Sequence, residues 1–312
     1  AIHMPFTPIT GRLESLQADT SDAAGTAELL TPEYHLKLQD QTLALRAFLG
    51  CGIRFTYQGQ PTCLNCQSIN SKLYGGGYCY PCFSTLARCD LCIVSPERCH
   101  FHLNSCREPQ WGETFCMQPH TVYLANTSGT KVGITRGGRE LKRWLDQGAE
   151  QALPIIKTPS RRCAGYVEHL LKQRLSDKTN WRQLVTGVRG GQDLNALATS
   201  LRNSVDLRDA FRETPADALE QSQVRWLDDP TMVTIEYPVL RYSPAQRLKV
   251  TPEQPEICDN LLGVIGQYLL LTRGVVFLPE YRGLALDITI SEPFDMADQT
   301  ESVPLSQQES LF

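Results

Sequence analysis

The sequence lacks any uninterrupted apolar run of the roughly 18 residues that a membrane-spanning helix needs. Its best stretch, Leu261 to Leu278, is broken by Gly263, Gly266, Gln267, Arg273 and Gly274, so no membrane association is expected. It also lacks a visible secretory signal. Strong net charge is missing too: 30 Lys and Arg stand against 34 Asp and Glu, a formal −4. That excludes a uniformly basic or acidic chain but leaves room for local patches. Nothing is lacking for ordinary globular cores. With 312 residues, 41% of them hydrophobic and 21% charged, there is material for two or three domains.

Cysteine is plentiful. There are 12, most of them in one block from Cys51 to Cys116. Without a secretory signal, such clustering argues for metal rather than a disulfide framework, and for a reducing cytoplasm. Cys63-x2-Cys66 is followed after 12 residues by Cys79-x2-Cys82. Each pair closes a tight knuckle that presents two thiolates to one ion, and two knuckles complete the tetrahedron Zn²⁺ prefers. Gly75-Gly76-Gly77 falls between them, where the chain must turn. A filled four-thiolate shell leaves no open position, so this zinc is expected to be structural.

A second group follows at once, and it holds more donors than one ion can use. Cys89, Cys92, Cys99 and Cys106 are the first choice for a second structural zinc. Cys116, His120, His100 and His102 remain alternatives. Cys51, Cys163 and Cys258 stand alone and read as small apolar residues.

The organisation follows from pattern. Residues 5–32 are small and polar and read as irregular. Alternation at Tyr34, Leu36 and Leu38, and again at Ile53, Phe55 and Tyr57, marks strands. Similar texture returns at Val233 to Leu240, Tyr268 to Leu271, Val275 to Leu278 and Leu284 to Ile290. Strands at opposite ends of a chain can pair, so a small β domain, barrel or sandwich, is expected from residues 33–62 together with 229–294. Zinc modules occupy 63–119. Residues 120–185 read as strand, strand, helix, strand, helix, and 186–228 as a polar helical segment. Residues 295–312 lack periodicity and read as a disordered tail. The fold class expected is α+β.

Charge is unevenly spread. From His120 to Gly190 there are 13 Lys or Arg against five Asp or Glu; from Glu292 onward there are five acids and no base. A basic middle points to nucleic acid, DNA or RNA, and the acidic end to a solvated arm. Within the basic stretch, Val122-Tyr123-Leu124 lies on the first strand and Lys131-Val132-Gly133 on the second. Arg143 lies on the first helix, Glu168 on the second, and Asn180 beyond it.

In order and in these residues the segment from His120 to Trp181 resembles the GIY-YIG endonuclease superfamily. Lys131 stands where the second motif has tyrosine. The longer run from Cys63 to Trp181 is similar to an uncharacterised bacterial family of zinc-containing proteins. The resemblance implies a GIY-YIG-like ββαβα core with inserted zinc modules. It implies that Tyr123 activates or orients a water, that Arg143 contacts the scissile phosphate, that Glu168 holds one Mg²⁺ or Mn²⁺, and that Lys131 and Asn180 belong to the same site. Lys131 lacks a phenol, which weighs against catalysis more than against the fold.

The chain ends Gln308-Glu309-Ser310-Leu311-Phe312. This is similar to the peptide by which bacterial repair and replication proteins hold the DNA sliding clamp. Gln308, Ser310, Leu311 and Phe312 are the expected contacts, with two large apolar anchors at the end of an extended arm. Three functions compete. The first is a metal-dependent DNA endonuclease of repair or replication, cytoplasmic and nucleoid-associated, recruited by the clamp. The second is a non-catalytic zinc-containing nucleic-acid adaptor. The third is a translation-associated RNA-binding zinc protein, which leaves the tail without a role.

Overall fold

The computed structural model describes residues 7–20, 29–175, 180–213 and 218–295. Its strands are β1 (Ile9–Asp19), β2 (Leu29–Leu30), β3 (Glu33–Leu38), β4 (Gln41–Ala44) and β5 (Gly52–Tyr57), then β6 (His120–Asn126), β7 (Thr130–Arg136) and β8 (Gln151–Thr158). Toward the end come β9 (Arg225–Trp226), β10 (Val233–Ile235), β11 (Glu256–Ile265), β12 (Tyr268–Leu271), β13 (Val275–Phe277) and β14 (Leu286–Ser291). The helices are α1 (Tyr80–Thr85), α2 (Pro109–Phe115), α3 (Glu140–Asp146), α4 (Arg161–Lys172), α5 (Trp181–Thr186), α6 (Leu194–Ser204) and α7 (Ala218–Ser222). Sheets and helices thus share the chain in a mixed α+β arrangement.

One sheet of eight strands runs in the order β13-β12-β11-β5-β14-β1-β3-β4, interleaving strands from both ends of the chain. Two long strands change partners along their length. The first residues of β1 pair with β14 and the rest with β3, with a register shift between Leu13 and Ser15. The start of β11 pairs with β5 and its end with β12, with a shift between Leu261 and Gly263. An extra residue in a strand bends it and strengthens its twist. Alternate residues along the sheet, among them Leu36, Phe55, Ile288, Leu269 and Val276, bury in a single cluster. A sheet whose strands from β3 to β13 share one core must curl around it.

Strand β1 lies within the stretch expected to be irregular. Ile9, Gly11 and Leu13 alternate, the register shift intervenes, and the alternation resumes one residue late at Leu16 and Ala18. Only Leu16 in the strand is fully buried, so polar residues dominate its composition.

The second sheet has the order β2-β10-β8-β6-β7, with β9 also on β8. The interior strand β6 is buried at every position. On one face Tyr123, Ala125 and Ala152 pack against Trp144 and Leu145 of α3. On the other, Val122, Leu124, Leu153 and Ile155 pack against Val167 and Leu171 of α4 and Leu194 and Leu201 of α6. A strand covered on both faces reads as a continuous apolar run rather than an alternation. β10 was expected with the other β domain. It joins this sheet instead, because Val233 and Ile235 bury beside Ala149 and Ala152. The strand β7 ends the sheet order, so helices on opposite faces flank an edge strand, and that edge is where the cleft forms.

Between β5 and β6 the chain makes almost no sheet. Residues 63–119 hold α1, α2 and several single 3₁₀ turns. The proposed clamp contacts, Gln308, Ser310, Leu311 and Phe312, lie outside the described residues.

Candidate functional site

The first thiol cluster forms from two turns. Cys63 and Cys66 lie in a turn in which Gln67 takes a positive φ of 58°. Cys79 and Cys82 flank the start of α1. Between them Gly75, Gly76 and Gly77 all have positive φ (54°, 78° and 130°), a region that penalises side chains. A Cβ on Gly77 would lie 2.5 Å from Leu64. The result brings the four sulfurs within 4.8 Å of one another. Cys63, Cys79 and Cys82 are buried, while Cys66 is exposed. Asn65 donates from its backbone N–H to Cys63 Sγ at 3.5 Å and from Nδ2 to Cys82 Sγ at 3.3 Å. Such donors orient and stabilise thiolates around an ion. A compact, largely buried four-sulfur set is compatible with structural zinc.

The second group of donors is arranged differently. Cys92, Cys99, Cys106 and Cys116 line one small enclosed cavity with Asp90 and His100. Cys89 does not line it; its sulfur lies 3.8 Å from where Gly75 would carry a Cβ, toward the first cluster. His102 is also outside the lining. Asp90, Cys92 and His100 bring one donor atom each within 4.8 Å of one another. Burial pushes the Cys92 thiol up to about 12 and that of Cys116 up to about 11.

A cleft of about 870 Å³ runs along the edge strand β7, between α3 and α4. Tyr123 forms its floor, with Lys131 and Gly133 on β7, Arg143 on α3 and Glu168 on α4 beside it. Four of the five residues picked from the sequence therefore meet. Asn180 does not line the cleft. It caps α5, its Oδ1 accepting from the Arg182 N–H at 3.0 Å, and its own N–H donates to Ser128 Oγ at 2.7 Å.

The Tyr123 ring is fully buried and sits edge-on to Trp144, with centroids 6.0 Å apart. Gly133 lies directly opposite in the β6–β7 ladder, and a Cβ there would fall 2.5 Å from the tyrosine oxygen. The glycine is what lets the phenol reach across the strand. Gln147 Nε2 donates to that oxygen at 2.9 Å. Burial raises the Tyr123 pKa against the pull of the neighbouring Arg143 guanidinium, so the phenol keeps its proton near neutrality. Glu168, 14% exposed, pairs with Lys172 one helical turn on at 3.1 Å.

Several cleft residues belong to no motif. Arg136, Arg139, Lys142, Arg161 and Lys172 join Lys131 and Arg143, so seven basic side chains face two carboxylates, Glu168 and Asp146. Only the local excess of positive charge hinted at them. Arg161 donates through Nη2 to the Ile93 carbonyl at 2.6 Å, and burial lowers its pKa. His120, weighed above as a metal ligand, lines this cleft and not the thiol cavity. It is fully buried, its Nδ1 lies 2.7 Å from the Gln118 carbonyl, and its Nε2 has no partner. Burial pushes its pKa down to about 4. The neutral ring then carries its proton on Nδ1 and leaves Nε2 as an acceptor.

Beyond α3 the cleft continues into a second groove of about 940 Å³, with which it shares Lys142, Arg143 and Asp146. Arg12 and Arg282 line that groove, together with Thr62, Leu64 and Gln67 from the first cysteine module. Both cysteine-rich modules therefore border one path, since Ile93, Val94, Pro96 and Phe115 wall the cleft itself.

A family described as "Protein of unknown function (DUF2797)" matches residues 50–286. No curated protein and no solved structure matches this chain.

Proposed function

The chain belongs to the DUF2797 family, and we propose that it is a metal-dependent nuclease of the GIY-YIG type that cuts DNA in repair or replication. The observation that carries this is the convergence of Tyr123, Lys131, Arg143 and Glu168 in one cleft with five further basic side chains. A polyanion is what such a cleft attracts, and its continuation past α3 offers a path longer than one nucleotide. The order strand, strand, helix, strand, helix over residues 120–172 supports a GIY-YIG-like core.

The residues divide the work. Arg143 contacts the scissile phosphate and offsets charge that builds on it. Lys131 adds a second positive charge at the cleft edge. Tyr123 stays a neutral phenol, so it orients by hydrogen bonding and does not remove a proton. Glu168 is the residue that would hold Mg²⁺ or Mn²⁺. A single partly buried carboxylate suits a hard cation that keeps most of its waters. When bound, such an ion supplies charge stabilisation and a more acidic water. Zinc in the modules is structural and braces the groove walls. Recruitment by the bacterial sliding clamp through residues 308–312, and hence association with the nucleoid, completes the proposal.

A second reading is a non-catalytic DNA- or RNA-binding adaptor. Lys131 in place of a phenol and the complete burial of Tyr123 favour it. A panel of single-stranded, nicked, flapped and branched DNA, with RNA alongside, separates the two. Cleavage in Mg²⁺ that stops in excess chelator supports the nuclease. Tight binding to the same substrates with no cleavage in Mg²⁺ or Mn²⁺ supports the adaptor.

A further inference from the structure

The segment from Leu86 to Gln118 is ordered without the means that usually order a chain. It has no strand, and beyond the seven-residue α2 it is built of single 3₁₀ turns. Leu91, Val94 and Leu103 are 53%, 77% and 65% exposed. A stretch that exposes its large apolar residues cannot derive its order from a hydrophobic core, and small modules of this kind rely on a cross-link.

Four thiols stand where such a cross-link belongs. Cys92 lies in the turn Leu91–Ile93 and Cys99 ends the turn Pro96–Arg98. Cys106 follows the turn Phe101–Leu103, and Cys116 caps the C-terminus of α2. All four line one enclosed cavity. We propose that Cys92, Cys99, Cys106 and Cys116 bind a second structural Zn²⁺, and that this ion fixes the module's wall of the basic cleft. The site replaces Cys89 with Cys116 relative to the ligand set that spacing alone favours. It stands on the cavity and does not depend on the nuclease reading.

Two other donors line the cavity, and their own contacts occupy them. The Asp90 carboxylate pairs with Arg107 Nε at 2.7 Å and accepts from the Cys92 N–H at 3.2 Å. His100 Nδ1 is 2.9 Å from Ser105 Oγ, and its Nε2 is 3.5 Å from Asp90. These contacts orient the turns around the cavity. Thiolates are also the softer ligands and the ones that favour zinc over harder ions. The four sulfurs do not meet the 4.8 Å spacing of the first cluster as a group. Metal binding is expected to draw them together and so to tighten the turns that carry them.

The consequence for the cleft follows from three contacts with α4. The Arg161 N–H donates to the Cys116 carbonyl at 2.8 Å, and Arg161 Nη2 donates to the Ile93 carbonyl at 2.6 Å. Gly165 packs so closely that a Cβ would lie 2.6 Å from Pro96 and 2.7 Å from the Glu97 nitrogen. The turns bearing the thiols thus hold the helix that carries Glu168.

The test uses full-length protein purified without added metal. Elemental analysis should give two zinc ions per chain, falling to one in Cys63→Ser and to one in Cys116→Ser or Cys99→Ser. Cys89→Ser and His100→Ala should each retain two. Should the Cys116 and Cys99 variants fail to fold, the wild type still decides: Co²⁺ exchanged into both sites should show thiolate charge transfer from eight sulfurs. One zinc in the wild type that disappears in Cys63→Ser overturns the proposal. So does loss of the second ion in Cys89→Ser or His100→Ala, or Co²⁺ charge transfer from only four sulfurs.

Discussion

Replacing Gly133 by alanine probes the packing that positions the cleft floor. Glycine here answers a demand for space, since it lies in regular strand opposite Tyr123. The added methyl would sit 2.5 Å from the phenol oxygen, 2.6 Å from Cζ and 3.1 Å from Cε2. Ordinary carbon contacts lie near 3.5–4.0 Å, so the ring must shift by roughly 1 Å. It has little freedom, being fully buried with Trp144 edge-on beside it. Overpacking of this kind costs about 1–3 kcal/mol. Alanine recovers about 0.5–1 kcal/mol by restricting the unfolded chain. The net expectation is a destabilisation of about 1–2 kcal/mol, read as a shift in urea midpoint. The Tyr123–Gln147 hydrogen bond should be lost with it. In a Tyr123→Ala background the same substitution should be neutral or stabilising, which gives a coupling of similar size in a double-mutant cycle. Additive effects, or a Gly133→Ala variant as stable as the wild type, would refute the view that the glycine exists to seat the phenol.

Three further outcomes are expected. His120 titrates near 6.5 when unfolded and at about 4 when folded, so its contribution is present above pH 6.5 and is lost as pH falls toward 4. That amounts to about 3 kcal/mol, and unfolding of His120→Gln measured from pH 7 to 4 should show a shallower loss than the wild type; parallel curves would contradict the burial argument. Nucleic-acid binding should weaken steeply with salt, because Arg136, Arg139 and Arg143 among others face the cleft. With roughly four phosphate contacts, affinity should fall about 10²-fold between 50 and 200 mM salt, and Arg139→Glu with Arg143→Glu should flatten that slope; affinity indifferent to salt would rule out the cleft as the binding surface. A peptide of residues 300–312 should bind purified sliding clamp at roughly micromolar affinity, near −8 kcal/mol, and the Leu311→Ala, Phe312→Ala peptide should not; equal binding by the two would dispose of the tether.

The sequence was most legible where spacing alone carries geometry. Two Cys-x2-Cys knuckles can meet in few ways, and Cys63, Cys66, Cys79 and Cys82 do come together. It was less legible where donors outnumber places. Nothing in the spacing says that Cys89 turns toward the first cluster while Cys116, at the end of α2, reaches the cavity. The register shift in β1 hid a whole strand by breaking its alternation. Tyr123, Lys131, Arg143 and Glu168 could be picked only through the family resemblance that their order suggested. His120 and Arg161 could not, since one was weighed only as a metal ligand and the other stood out in no motif. Arg161 lines the cleft where α4 is held against the turns at Ile93 and Pro96, and His120 lines it from the start of β6. Asn180 shows the converse: a residue in the expected order that serves as a helix cap.

If Glu168 is the carboxylate that serves a catalytic cation, its removal must abolish cleavage and spare binding. Wild type and Glu168→Ala are assayed side by side on a branched DNA at low salt in Mg²⁺, with binding and cleavage measured on the same samples. The wild type should cleave, the variant should lose at least 10²-fold of that cleavage, and binding should stay within a few fold in both. Cleavage undiminished in Glu168→Ala, or cleavage by the wild type that persists in excess chelator, would contradict that role.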